Sequence, residues 1–193
     1  TFSDRWRCCL SLPAIAWAVA LFAAFEAMIL TLLPVYCLQQ GFTAEIALAM
    51  VSTVVVGDAL LQLPIGALAD YLPRRTLFLG CALLLLASSL AVPLLMHTPL
   101  IWPVWVLFGA SAGGLFTLSL ILIGERYRDD ALVRANAHVA QLWGIGCLIG
   151  PLVAGAGSQW ISGHALPWLM AAGALGLVLL LLRQGAFGVA QPV

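Results

Sequence analysis

Lysine is absent from this chain, and charge of either sign is scarce. Only 8% of its 193 residues are charged, while 63% are apolar. A soluble domain carries about a quarter charged residues to cover its surface. Most of this surface must therefore face lipid rather than water. The formal net charge of zero supplies no basic face, so nucleic acid is not an expected partner. Cysteines are few and scattered: Cys8, Cys9, Cys37, Cys81 and Cys147. Their spacing suggests no zinc site, haem attachment or disulfide framework, and neither a metal nor a cofactor is expected. They read as small apolar packing residues, although Cys8 and Cys9 lie beside arginines at a membrane edge, where a lipid can be attached. No signal peptide with a cleavage site opens the chain. It begins on Thr1 rather than Met, which leads us to expect a longer parent.

What the chain has in abundance is long apolar runs. A bilayer core of about 30 Å takes roughly 20 residues per helical span. Six runs qualify: 10–36, 45–69, 76–96, 101–124, 132–156 and 166–182. Lipid offers backbone groups no partners, so unbroken runs must be helices. Barrel strands would alternate in hydrophobicity, and these do not. The expected fold is an all-α membrane protein, a single bundle of six transmembrane helices covering residues 1–193.

Arginine sets the orientation. Arg5 and Arg7 precede span one, Arg74 and Arg75 follow span two, and Arg126, Arg128 and Arg134 follow span four. Arg183 ends span six, and the alternate loops carry none. The positive-inside rule then puts both termini in the cytoplasm. Trp102, Trp105, Trp160 and Trp168 are expected to form an aromatic belt on the opposite face.

Polar side chains divide the spans unequally. Span one carries Glu26, span two Asp58 and Gln62, span four Ser111, Thr117 and Ser119, and span five Asn136, His138 and Gln141. Spans three and six are dry and read as lipid-facing pillars. That pattern repeats every three helices, as in transporters built from two inverted three-helix repeats. A charge at mid-span costs about 2.5–3.5 kcal/mol, so Glu26 and Asp58 must face protein or a wet cavity. Either each carboxyl carries a proton or cation, or each only bonds a neighbouring helix. Gln62 and Gln141 join them as candidate substrate- or ion-coupling residues, with Gln141 and His138 expected to bond between helices. Asp58, Gln62, Gly66 and Asp70 recur every four residues and form one stripe toward the membrane edge. Gly109-x-x-x-Gly113 and Gly146-x-x-x-Gly150 permit close helix approach, and Pro151 should bend or loosen span five.

The stretch GALADYLPRR, residues 66–75, concentrates charge between spans two and three. It resembles the signature loop of the major facilitator superfamily, whose pattern is G-x-L-A-D-R-x-G-R-R/K. Gly66, Leu68, Ala69, Asp70, Arg74 and Arg75 match, while Tyr71 and Pro73 stand where the family has Arg and Gly. Those departures are typical of the weaker copy of the loop in the second half of such transporters. GIGCLIGPLVAGAG (144–157) looks like the family's Gly-Pro-rich helix, and GERYRDDALVRANA (124–137) resembles bacterial drug-efflux-like and YcaD-like members.

The resemblance implies a secondary transporter rather than an enzyme, working by alternating access and needing no cofactor. This chain would be its C-terminal six helices, with the N-terminal six, lipid and a small-molecule substrate as partners, and proton coupling through Glu26 or Asp58. The SDRWR opening resembles the end of the linker between halves. The loop would act as a latch, with Asp70 facing the other half and Glu125 pairing Arg74 or Arg75. Otherwise the arginines only fix orientation.

Two other readings stay open. GASAG (109–113) has the G-x-S-x-G form, and six-helix intramembrane serine proteases carry a serine on their fourth span. Such an enzyme needs an imidazole within reach of Ser111, and the histidines available are His97, His138 and His164. Alternatively, the bundle is a membrane subunit or half-transporter that pairs with a second copy.

Overall fold

The computed structural model describes residues 13–160 and 164–183, without the side chains of Leu61, Ser158, Gln159 and Trp160. Expectations resting on Arg5, Arg7, Cys8, Cys9 and the Trp160 side chain lie outside the described residues. The described chain is helical: α1 (Pro13–Thr31), α2 (Leu33–Gln39), α3 (Ala44–Tyr71), α4 (Arg74–Leu95), α5 (Ile101–Arg126), α6 (Asp129–Trp160) and α7 (Ala165–Arg183). All but α2 are long and apolar enough to cross a membrane.

Span one differs from its expected single run. The helix breaks at Leu32, and α2 restarts with a proline in its first turn. Pro34 has no N–H to offer Leu30, and its ring crowds that carbonyl, which interrupts the helical ladder. The chain then turns at Gly41, whose φ of +89° suits a residue without Cβ. Thr43 starts α3 by accepting the Ile46 N–H on its hydroxyl at 3.4 Å.

At the opposite face α3 ends at Tyr71. Leu72 is extended (φ −111°, ψ 151°), as a residue before proline should be. Pro73 then leads into α4, so the whole turn is two residues long. Four helix ends meet here. Arg74 binds Glu125 at the end of α5, and Arg75 donates to the Leu181 carbonyl near the end of α7, 3.3 Å away. On the other face the Tyr36 hydroxyl lies 2.8 Å from His164 Nδ1. Phe42 stacks on His97 there, with ring centres 5.3 Å apart.

The closest helix pairs are α3 with α5 and α1 with α6. Glycines set both. A Cβ on Gly109 would strike the Val54 carbonyl, and one on Gly57 the Val106 backbone. At α1–α6, a Cβ on Gly146 would meet the Ala20 carbonyl, and one on Gly150 would sit 2.7 Å from Ala24 Cα. α6 runs through Pro151 without ending.

α4 and α7 pack on each other, burying Phe78, Leu85, Leu177 and Leu181, and expose Leu94, Leu175 and Leu179 on their other faces. The least covered helices are α3 and α6, which expose Leu60, Leu63, Leu148 and Leu152. Ser111 and Ser119 do not wet α5: both are buried, donating to Phe108 O at 2.9 Å and Leu115 O at 2.7 Å. A serine hydroxyl satisfied by its own helix needs no water. Trp105 is no belt residue either. It is fully buried beside Phe108, with its indole N–H unpartnered.

Candidate functional site

Glu26 and Asp58 come together at mid-span from two helices. The Glu26 carboxyl on α1 faces the Trp143 indole on α6 and stands within electrostatic reach of Asp58 on α3. Asp58 accepts a hydrogen bond from Gln62 Nε2 at 2.9 Å, one turn further along α3. It fits there because Gly113 on α5 has no Cβ; one would collide with the Asp58 carboxyl oxygen. The two α5 glycines thus divide the work: Gly109 closes the helix contact, and Gly113 seats the acid.

Cys147 adds to this cluster. Its thiol points at the Ala23 carbonyl, 3.5 Å away, and it too is within electrostatic reach of Glu26. Trp143 and Cys147 were not singled out from sequence as site residues. Their four-residue spacing places them on one face of α6, beside Gly146 and Gly150 at the α1 contact, and that was the available signal.

Among the described residues, neither mid-span acid forms a recorded salt bridge, and every such bridge belongs to Arg74 at the membrane edge. Two half-buried carboxyls with one amide and one indole for company cannot both be charged cheaply. Such a pair is suited to holding a proton or a cation. No group of three His, Cys, Asp or Glu among the described residues is arranged to hold a metal.

Gln141 stands apart from the cluster. It is exposed and pairs with His138, Nδ1 to Oε1 3.2 Å, on the same helix. The expected bond between helices is thus replaced by one within α6. Ser111 has its partner in Phe108, and the three imidazoles bond or stack with Tyr36, Phe42 and Gln141. The described residues therefore form no serine–histidine pair of the protease kind.

At the arginine-bearing edge, Arg74 Nη2 and Nε both donate to Glu125 Oε1, at 2.6 and 3.2 Å. Asp70 lies one turn before Arg74, 3.8 Å from its guanidinium, and three-quarters of its side chain is exposed. Gly66 has open space where a Cβ would stand.

A family model described as Major Facilitator Superfamily matches residues 3–190. The chain is 28% identical to "Efflux pump dotC" of Dothistroma septosporum over 148 residues, covering 76% of this chain and 25% of that protein. It is 27% identical to "Uncharacterized MFS-type transporter YcaD" of Escherichia fergusonii over 162 residues, 84% of this chain and 41% of that one. An "MFS-type transporter" of Aspergillus terreus matches at 26% over 106 residues, 55% of this chain and 19% of its own length. The chain thus spans less than half the length of each of these relatives.

Proposed function

Since the chain belongs to the major facilitator superfamily, we propose that it is six spans of a secondary transporter that moves a small solute by alternating access. The observation that carries this reading is the Glu26–Asp58 pair, two acids at mid-span with no salt bridge among the described residues. Intramembrane carboxyls of this kind mark ion and proton pathways. In our reading, Glu26 or Asp58 takes the coupling proton, Gln62 holds Asp58, and Trp143 holds Glu26.

The second half of the machine is the N-terminal six helices, docked on the exposed flanks of α3 and α6. Two features favour that placement. Those flanks carry Leu60, Leu63, Leu148 and Leu152 more than half exposed, and relatives are more than twice this chain's length over their matches. The inverted repeat is favoured by helix pairing. Exchanging the first three spans for the last three turns the α3–α5 contact into the α6–α1 contact, and both are glycine-spaced. Arg74, Arg75 and Glu125 then form the latch on the cytoplasmic side of the inner membrane, and exposed Asp70 reaches the other half.

The test uses the full-length protein in proteoliposomes with an imposed pH gradient. Glu26→Gln and Asp58→Asn, made separately, should each cut gradient-driven flux about tenfold or more, in line with the loss of an ionisable carrier. Undiminished gradient-driven flux in both variants would show the carrier role to be wrong.

A further inference from the structure

The outward faces of α4 and α7 change character at the arginine-bearing edge. On α7, Leu175, Leu179 and Arg183 follow one another at four-residue spacing, so they share one face, and all three are exposed. From Leu175 to Arg183 the helix rises roughly 12 Å at 1.5 Å per residue, close to the hydrocarbon depth of one leaflet, about 15 Å. On α4, Thr76, Leu83, Leu90 and Leu94 make a second exposed stripe at helical period. Arg75 joins the two helices at this edge, because its Nη2 donates to the Leu181 carbonyl of α7 at 3.3 Å. Both faces thus run from leucines at hydrocarbon depth to polar and cationic groups where a lipid headgroup lies.

We infer that Arg75 and Arg183 hold the phosphate of one anionic phospholipid, whose acyl chains lie on the leucine stripes of α4 and α7. Charge selects the headgroup. Among the described residues, neither arginine enters a recorded salt bridge, and the acids Asp70 and Glu125 at this edge are both engaged by Arg74. Arg75 gives one hydrogen bond to a neutral carbonyl, while a guanidinium carries five N–H donors. The rest of its fork suits a phosphate, which it can grip with two parallel bonds. A zwitterionic headgroup brings its own ammonium and offers two cations less. The face is left to lipid because α4 packs on α5 and α7, and the other half is placed above on α3 and α6; the inference rests on that placement. A phosphate here would fasten the start of α4 to the end of α7, the same joint that Arg75 ties through the Leu181 carbonyl.

Native mass spectrometry of the full-length protein tests this with phosphatidylglycerol and phosphatidylethanolamine carrying the same palmitoyl and oleoyl chains. The wild-type protein should retain one phosphatidylglycerol in preference to phosphatidylethanolamine by about fivefold or more. The double variant Arg75→Gln, Arg183→Gln should lose that preference. Arg128→Gln, which removes the same charge from the exposed connection between α5 and α6, should keep it. A second measurement leaves Arg75 untouched. In liposomes, the emission added by Leu175→Trp should be quenched about twofold or more by mid-chain-brominated phosphatidylglycerol relative to brominated phosphatidylcholine. Arg183→Gln on that background should remove the difference. Equal retention of the two lipids by the wild-type protein, or a loss of preference in Arg128→Gln as large as in the double variant, would overturn the assignment. So would equal quenching by both brominated lipids, which would mean bulk lipid on the stripe. Quenching by neither would mean that protein covers it, and would overturn the placement of the other half as well. Because these readouts involve no transport, they succeed or fail separately from the coupling role of Glu26 and Asp58.

Discussion

Arg74 places two of its nitrogens on a single oxygen of Glu125, tying the start of α4 to the end of α5 across a sequence separation of 51 residues. Both side chains are partly exposed, at 24% and 50%, and exposed ion pairs contribute only about 0–1 kcal/mol. The pair is therefore a poor device for holding the fold and a good one for breaking and remaking. Arg74→Glu and Glu125→Arg should each reduce flux about tenfold while thermal unfolding shifts by only a few degrees, as a loss of about 1 kcal/mol implies. The double exchange should restore most of the flux. Flux that stays at the wild-type level in both single variants would leave the arginines a purely topogenic role.

The glycines of α5 separate packing from function. Gly109→Ala drives a Cβ into the Val54 backbone, which cannot step aside, so α3 and α5 must part. Overpacking of this kind costs about 1–3 kcal/mol. Gly113→Ala meets only side chains, the Asp58 carboxyl and Gln62 Nε2, which can rotate away so that the acid loses its seat. Its expected signature is flux reduced about tenfold with a smaller loss of stability. Gly80→Ala on α4 meets nothing and should stabilise by about 0.5–1 kcal/mol through the helix preference alone. Denaturant or thermal unfolding of the three variants gives the order; a Gly109→Ala protein as stable as Gly80→Ala would contradict the helix contact described here.

The spans, the arginine-rich turn and the glycine-spaced contacts were legible in sequence because each depends on local rules. Apolar length makes a membrane helix, proline ends one, and a missing Cβ lets two approach. What sequence could not give was facing. Ser111 and Ser119 looked like a wet stripe on α5, yet a serine can be satisfied by its own helix, and pattern alone does not reveal that. Trp105 sits near the edge of its span like a belt residue, but neighbours from other helices bury it. The Glu26–Trp143 meeting joins residues 117 positions apart, and no periodicity within either helix encodes it. The break at Leu32 is signalled by Pro34, a cue that apolar length alone does not register.

The face opposite the arginines has its own fastening. Tyr36 is buried midway along α2, and its hydroxyl stands 2.8 Å from His164 Nδ1, just before α7. The rings also meet edge to face with centres 5.8 Å apart. Tyr36→Phe keeps the ring and deletes the hydroxyl, leaving the imidazole nitrogen unpaired, and should cost about 0.5–1.5 kcal/mol. His164→Leu leaves the phenol unpaired and should cost a similar amount. If one bond accounts for both losses, the double variant should be no less stable than the worse single, a coupling of about 0.5–1.5 kcal/mol. Additive losses in that cycle would mean that the two side chains act independently. A closed cycle would identify the bond as a link between the first and last spans at that face.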